Sequence, residues 1–225
     1  CIRCLSWKFR LSGVSVSHAE YRLSFTTGGL LRAEAAAVAD LILATGDIQT
    51  AREMAVSNNV VQQRTVSSRT RVTREVIQRL GELPPSGVRL IASGSFEETR
   101  HVMWLAACLR YKFLRVFGRE VIHSRYMARR TLLTHDDFDA FWNRQSSWVD
   151  ELRDSAETTR RKLRQNTFRM LREAGLLTAD NHVLPVLPSP AATEVILESS
   201  PDLLLSFPID DAQIELLRNP RSGVQ

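Results

Sequence analysis

Apolar residues recur at spacings of three and four along most of the chain, which is the pattern of α-helices rather than strands. The segment Gly28 to Ala44 is apolar on almost every side and is followed by Gly46, so we expect a helix that its neighbours bury. Asp47 can accept from free backbone N–H groups and is expected to cap a second helix, Ile48 to about Asn58.

Three further helices are predicted in the middle of the chain. Ser67 or Ser68 is expected to cap a helix that runs to about Leu80, before a region closed by prolines. Large apolar residues at helical spacing predict a central helical core over residues 96–129. Thr134 precedes two aspartates and an apolar face, which indicates a capped amphipathic helix.

A helix followed by a β-hairpin is expected in the C-terminal part of the chain. The helix begins at Ser155 and ends at Gly175. In residues 176–186, the turn-forming Ala-Asp-Asn separates two short apolar runs, which predicts a β-hairpin. That order is typical of a winged helix-turn-helix. A last helix is expected at about Ala191 to Glu198, and the pattern predicts no element beyond Pro208.

These elements predict an all-α, compact multi-helix globular protein with two helix-turn-helix-like units, the second winged by a short β-hairpin. Residues 1–20 are expected to be a leader outside the core, and residues 209–225 a tail. Between them we expect an N-terminal helical sub-domain, 21–93, with the first unit. A C-terminal sub-domain, 94–208, would hold the winged unit.

The charge balance favours a polyanionic partner. Lys and Arg number 30 against 25 Asp and Glu, for a formal charge of +5, and 27 of the basic residues are arginine. Arginine offers a rigid fork that suits phosphate and base edges. A GC-rich genome would also enrich arginine, so its placement has to decide between these explanations.

Two predicted helices carry basic residues along one flank and apolar residues along the other. In the helix that ends at Leu80, the apolar flank also holds Val72 and Val76. Its opposite flank holds Arg71, Arg74 and Gln78. In the helix from Ser155, the core flank comprises Leu163, Thr167, Met170, Leu171 and Ala174. The far flank comprises Arg161, Gln165, Arg169 and Arg172, with Lys162 and Arg164 beside it.

The second basic flank has a single sign of charge. Six basic residues and no acidic residue lie between Arg160 and Arg172. Like charges at this spacing destabilise a solvated helix, so such a flank favours a partner of opposite charge. Gln78 or Gln165 could read adenine in a DNA groove. The alternative is a solvated arginine-rich face.

A third basic cluster, in residues 110–130, has seven basic residues against Glu120. These side chains could extend a phosphate-binding surface. Because they lie among aromatic residues, they could equally pair with buried acids such as Glu34. The sequence leaves both interpretations open.

No motif for catalysis, a cofactor or a metal occurs. The chain lacks a P-loop, GxGxxG, GxSxG and HExxH. Its three cysteines, Cys1, Cys4 and Cys108, lack the partners of a zinc site. The acid pairs at 97–98 and 136–137 lie at helix starts, where the helix dipole accounts for them. We therefore expect no enzyme activity, no cofactor and no metal.

The longest apolar run, Val102 to Leu109, has eight residues, far fewer than the roughly 20 that span a bilayer. Residues 1–11 are too short and too charged for a signal peptide. We therefore expect a cytoplasmic protein without a membrane anchor.

Between about Tyr21 and Pro208 the chain contains a series of long sequence blocks whose order along the chain also carries information. Among these blocks are NNVVQQRTVSSRTRVTREVIQRL, WLAACLRYKFLRVFGREVIHSRY and TTRRKLRQNTFRMLREAGLL. They resemble the BrxA family, a core component of bacterial BREX phage-exclusion systems. The resemblance implies an all-helical protein with two helix-turn-helix units that binds double-stranded DNA. The contacts it implies are Arg64, Arg69, Arg71 and Arg74 in the first unit, and Arg160, Arg161, Lys162, Arg164 and Arg169 in the second.

The leading hypothesis is an accessory, double-stranded DNA-binding component of a BREX defence system that acts through arginine–phosphate contacts. Its expected protein partners are other BREX proteins, such as the methyltransferase and the ATPase, and the chain alone is expected to be a monomer. The alternatives are an adaptor whose arginine faces dock on acidic proteins, and an RNA-binding helical protein. Few aromatic residues lie near the basic flanks, which disfavours RNA.

Overall fold

The computed structural model describes residues 21–25 and 28–219, and every regular element in this part of the chain is helical. The elements are α1 (Arg32–Thr45), α2 (Ile48–Ser57), α3 (Val66–Leu80), α4 (Pro85–Ser93), α5 (Phe96–Arg110), α6 (Lys112–Phe117), a π-helical turn (Gly118–His123), α7 (Ser124–Met127), α8 (His135–Ser146), α9 (Asp150–Arg153), α10 (Glu157–Glu173), α11 (Pro190–Ser199), a 3-10 helix (Pro201–Ser206) and α12 (Asp211–Arg218). The all-α class predicted from the pattern is confirmed.

Local capping rules account for where most helices begin. Asp47 accepts from the backbone N–H of Thr50 at 2.6 Å, as predicted for the start of α2. Thr134 forms a reciprocal capping box with Asp137 at the start of α8. The cap of α3 is Thr65 rather than the predicted Ser67 or Ser68, and its hydroxyl accepts from the Ser68 N–H at 3.1 Å. The chemistry of the cap is as expected, and the helix starts two or three residues earlier.

Helix α5 is the centre of the fold. Ser95 and Glu98 form a capping box at its start, and a continuous run from His101 to Cys108 is buried. It packs against α1, α3, α4, α6, α10, α11 and the 3-10 helix. The helical stretch predicted over 96–129 is divided, because Tyr111 adopts extended backbone angles between α5 and α6. A single core therefore forms around α5.

The predicted β-hairpin wing is wrong. Within the described residues, the region after α10 contains two isolated antiparallel bridges, Leu177 to Val183 and Leu132 to His182, and no strand. Thr178 donates to His182 and Leu184 donates to Leu176 across the turn, at 2.9 and 3.0 Å, while the outward-facing Val183 N–H donates to Thr131 at 2.8 Å. The Leu176 N–H donates to the Leu171 carbonyl at the end of α10, at 2.9 Å, so the ladder goes no further. The turn is consequently held against the loop before α8.

Residues 209–219 contain structure that the hydrophobic pattern does not predict. Asp210 caps α12 by accepting from Gln213 N–H at 2.7 Å, and Ile209 and Ile214 are buried. Buried side chains on both sides of the predicted boundary at Gly94 belong to one continuous core. The division into sub-domains at this point stays a prediction. The expected leader, 1–20, and its Cys1 and Cys4 lie outside the described residues.

Across the part of the chain that the structure describes, no helix has both the length and the apolar character to cross a bilayer.

His101 predicts how the stability of the fold depends on pH. The residue is 5% exposed, and in the described part of the chain neither ring nitrogen has a hydrogen-bond partner. Burial, aided by the nearby Arg100 charge, lowers the pKa of His101 from 6.5 to about 4. The unfolded chain therefore takes up a proton at a higher pH than the folded chain. The contribution of neutral, buried His101 to the free energy of unfolding is therefore fully present above pH 6.5. It is lost as the pH drops towards 4.

We expect this titration to remove about 2 kcal/mol of stability between those limits. His101→Phe should flatten that part of the profile, measured by urea unfolding at a series of pH values. His135→Gln, which removes a histidine at an exposed position, is the matched control. An identical profile for His101→Phe and the wild type would contradict the assignment.

Candidate nucleic-acid interface

Helix α3 separates basic from apolar residues as its spacing predicts. Val72, Val76 and Leu80 are buried. Arg71, Arg74 and Gln78 are exposed on the other flank. Neither arginine has a carboxylate partner among the described residues. This flank offers two free guanidinium groups to a ligand.

The other two basic residues predicted in the first unit differ from each other. Arg64 is exposed in the loop between α2 and α3. Arg69 is half-buried, and its Nη1 donates to the carbonyl of Val56 at 3.1 Å. The Arg69 side chain therefore links α3 to the end of α2. Arg64 has no carboxylate partner among the described residues.

A buried ion pair on α3 escapes the sequence analysis. The Arg79 side chain is fully buried, and its Nε lies 2.8 Å from the Glu75 carboxylate. Tyr111 donates its hydroxyl to the same oxygen at 2.6 Å, and burial together with the Glu75 charge raises the pKa of Tyr111. Glu75 and Arg79 are four residues apart, which could have indicated the pair. The spacing alone does not reveal that both are buried.

Helix α10 has the predicted core flank, since Leu163, Thr167, Met170, Leu171 and Ala174 are all buried. On its far side, Arg161, Lys162 and Gln165 are exposed. In the described part of the chain these three side chains make no ion pair and no side-chain hydrogen bond. They form the free part of the predicted second basic flank.

Two other arginines of α10 are paired internally. The Asp139 carboxylate on α8 accepts from the Arg160 Nε at 3.1 Å and from the Arg164 Nη1 at 2.6 Å. Each guanidinium is about one-fifth exposed, and Arg160 also lies 5.9 Å from the Trp142 ring centroid. One carboxylate therefore holds two of the predicted contacts against α8.

The last turns of α10 are also engaged. Arg169 is exposed and lies 2.7 Å from Glu173, one turn further on. Arg172 donates to the side-chain oxygen of Asn181 at 2.6 Å. Asn181 has a positive φ of 68° in the turn that replaces the predicted hairpin. These two arginines retain exposure, but each already has an acceptor.

A short backbone segment joins the two basic helices. Arg79 of α3 donates to the carbonyls of Gly29 and Leu30 at 3.0 and 3.1 Å. Glu173 of α10 accepts from the Leu30 N–H. A Cβ at Gly29 would collide with the Glu173 carboxylate, so glycine allows this approach. Residues 29–30 therefore hold α3 and α10 in a defined relation.

In the third basic cluster some side chains are paired with acids and others are exposed and unpaired among the described residues, so each of the two interpretations holds for part of the cluster. Arg110 contacts Gln78 and Glu82, and Arg125 lies 2.6 Å from Asp137. Glu120 is engaged by Arg144 at 2.8 Å. Five basic residues are exposed without a carboxylate partner among the described residues: Lys112, Arg115, Arg119, Arg129 and Arg130. The suggested pairing with Glu34 is not formed in this part of the chain.

The described residues contain no cluster of three or more His, Cys, Asp or Glu side chains that could hold a metal ion. Cys108 is buried, and burial raises the pKa of its thiol. Glu98 caps α5, and hydrogen bonds from Ser95 and Ser189 lower its pKa. Basic side chains are accordingly the main chemical feature of the surface around α3 and α10.

Comparison with known proteins shows which family the chain belongs to. A family model described as BrxA matches residues 19–200. The chain belongs to the BrxA family. A relative from Escherichia coli (strain HS), named BREX protein BrxA, is 27% identical over 148 residues, which are 66% of this chain and 70% of the relative. A Bacillus cereus protein of the same name is 27% identical over 126 residues, 56% of this chain and 63% of that protein.

The fold of this BrxA-family chain is also similar to a solved structure. The crystal structure of an uncharacterized protein from Magnetospirillum magneticum aligns with a TM-score of 0.69 at 19% identity. The alignment covers 84% of this chain and 97% of the other. At this level of identity the likeness concerns the fold.

The buried pair on α3 yields a stability prediction. Glu75→Gln should destabilise the protein by about 3 kcal/mol, because it leaves the Arg79 charge buried without a carboxylate. Glu82→Gln is the matched control, since Glu82 is over one-third exposed and lies 3.4 Å from Arg110. We expect the control to cost less than about 1 kcal/mol. Chemical unfolding of both variants tests this, and equal losses would contradict it.

Proposed function

We propose that this chain is an accessory, non-enzymatic component of a BREX phage-defence system that binds double-stranded DNA mainly through arginine–phosphate contacts. Membership of the BrxA family and the names of its relatives support the BREX assignment. In this proposal the chain acts in the cytoplasm, is a monomer on its own, and works with other BREX proteins such as the methyltransferase and the ATPase.

The observation that carries DNA binding is the set of free basic side chains on α3, on α10 and in the loop before α3. They are Arg64, Arg71, Arg74, Arg161 and Lys162. In the described residues none has a carboxylate partner. A polyanion gains affinity from such groups by releasing its condensed counterions. Arginines that are already paired, such as Arg160 and Arg164, would contribute less.

Two helix-turn-helix-like units are part of the proposal, with α3 and α10 as the helices that face DNA. The joint between α2 and α3, residues 58–65, is longer than the three or four residues of a tight helix-turn-helix. In the second unit α9 lies between α8 and α10. Gln165 is free to contact a base edge, whereas the Gln78 oxygen already accepts from Arg110.

A second candidate function, an adaptor between proteins, is favoured by a separate surface. An open apolar groove of about 670 Å³ lies between residues 187–190, α11 and α12. Leu187 and Leu216 are 59% and 55% exposed there. Exposed apolar patches of this kind often mark protein contacts. The groove uses none of the basic side chains proposed to bind DNA, so the two functions are separable by mutation.

Salt dependence is the first test of the DNA proposal. If about six phosphates are neutralised, log K should fall against log salt with a slope of about −5 in an anisotropy titration. Arg71→Glu and Arg161→Glu should each weaken duplex binding about tenfold at roughly 50 mM salt, because each replaces an attraction by a repulsion. Arg89→Glu, an exposed change of equal charge on α4, is the matched control.

The outcomes separate the candidate functions. Absence of duplex binding at roughly 50 mM salt would overturn the DNA proposal. Equal losses for all three variants would mean that only net charge matters. If Leu216→Asp in the groove lost co-purification with other BREX proteins and kept its DNA affinity, the adaptor would be favoured. Stronger binding of RNA than of a duplex of the same length would favour the RNA alternative.

Asp139 provides a test in the opposite direction. Asp139→Asn removes the carboxylate that holds Arg160 and Arg164, so both guanidinium groups become available to phosphate. We expect duplex affinity to rise several-fold and the salt slope to steepen by about 1 to 2. Asp136→Asn, an exposed change of the same charge on α8, is the control. If both variants bind equally, release of the two arginines is not the cause.

A further inference from the structure

A small polar pocket lies between α3, the end of α5 and residue 24. Its volume is about 230 Å³, and it is lined by Ser24, Arg71, Arg74, Glu75, Gln78 and Arg110. Three of the six lining residues are arginines from two different helices. Sequence spacing alone brings Arg71, Arg74 and Gln78 together, whereas Ser24 and Arg110 join them only in the folded chain.

Arg110 is built into the wall of this pocket. Its side chain is 8% exposed, and its Nη2 donates to the Gln78 oxygen at 2.6 Å. Its Nη1 lies 3.4 Å from Glu82, which is a long contact. The Nε is buried and has no hydrogen-bond partner among the described residues. The contacts of the two Nη atoms fix the Arg110 guanidinium in the wall before any ligand binds.

The other donors complement Arg110. Because the Gln78 oxygen is occupied by Arg110, the amide nitrogen of Gln78 is the group left to donate. Arg71 and Arg74 are exposed, and neither forms an ion pair in the described part of the chain. The Ser24 hydroxyl is also exposed at the rim. The donors therefore outnumber the acceptors that remain free.

Glu75 is the one carboxylate that lines the pocket, and its charge is compensated from behind. The buried Arg79 lies 2.8 Å from it, and Tyr111 donates to the same oxygen. With Glu82 beside Arg110, four guanidinium groups face two carboxylates in and around the pocket. The local charge is positive by two and is concentrated where the free donors lie.

We propose that this pocket binds a single phosphate group through Arg71, Arg74 and Arg110, with Gln78 and Ser24 as additional donors. Guanidinium forks match the oxygens of phosphate, and converging forks give a charge-assisted, directional site. The phosphate belongs either to the DNA backbone or to a free phosphorylated ligand. In the first case the inference rests on the proposed function. One backbone phosphate bound in the pocket would then fix the position of α3 on the DNA.

Inorganic phosphate is the probe for the pocket. The unfolding midpoint is measured as phosphate replaces chloride at constant ionic strength. We expect a rise of about 3 °C when phosphate exceeds its dissociation constant roughly tenfold. Arg71→Ala with Arg74→Ala, both at exposed positions, should abolish the rise. The matched control is Arg89→Ala with Arg129→Ala, two exposed arginines outside the pocket, which should keep it.

A nearly isosteric variant tests the same site without deleting a side chain. Gln78→Glu keeps the oxygen that accepts from Arg110, so the fold should be retained, and it places a negative charge among the donors. The phosphate-dependent rise should disappear while the midpoint in chloride stays within about 2 °C of the wild type. No rise in the wild type, or an equal rise in the wild type and both pocket variants, would overturn the proposal.

Competition identifies the source of the phosphate. If a short DNA duplex is the occupant, the double alanine variant should lose about 0.9 from the salt slope, the value for one phosphate, although two arginines are removed. If ATP, and not the duplex, loses affinity in that variant, the occupant is a free phosphorylated ligand. Duplex binding through α10 would then persist, so failure at this pocket is distinguishable from failure of DNA binding as a whole.

Discussion

Two charged side chains hold one stretch of backbone from two different helices, and the arrangement of the basic surface depends on them. Arg79 of α3 donates to the carbonyls of Gly29 and Leu30, while Glu173 of α10 accepts from the Leu30 N–H. The guanidinium is fully buried, so its charge must be matched inside the protein, and Glu75 matches it. Because both anchors come from the helices that carry the basic flanks, the segment that they hold sets the separation of those flanks. Residues 29 and 30 therefore act as a spacer between α3 and α10.

The internal pairing of arginines reduces the basic surface and decides where it lies. Asp139 pairs with both Arg160 and Arg164, and Glu173 engages Arg169. Among the described residues, Arg161 and Lys162 remain free on α10, whereas α3 keeps Arg71 and Arg74. Partly buried pairs are screened by salt less than exposed charges, so Arg160 and Arg164 should stay paired as salt rises. On these two helices the free cations therefore form two groups rather than a continuous stripe.

Local rules predict much of the fold, and long-range contacts decide what they miss. Helix existence, the cap at Asp47, the capping box at Thr134 and the buried flanks of α3 and α10 follow from spacings within one or two turns. Tyr111, where α5 ends, contacts Glu75, which lies 36 residues away in sequence. The hairpin stops after one bridge, because the Leu176 N–H is taken by the Leu171 carbonyl at the end of α10. For the site, spacing predicts which residues share a flank, but the partners that occupy Arg69, Arg160 and Arg164 come from other helices.

The distinction between free and engaged arginines also bears on specificity. Free guanidinium groups on long side chains adapt to any phosphate, so they supply affinity without sequence preference. A base edge is read by a donor held in place, and on α3 the best-positioned polar group is Gln78, whose oxygen Arg110 fixes. That contact leaves only its amide nitrogen, a lone donor, where bidentate reading of adenine needs a donor and an acceptor. If the proposed DNA contacts form, the hydrogen bond to Arg110 therefore limits Gln78 to donation, whereas Gln165 on α10 is exposed and has both amide atoms unengaged among the described residues.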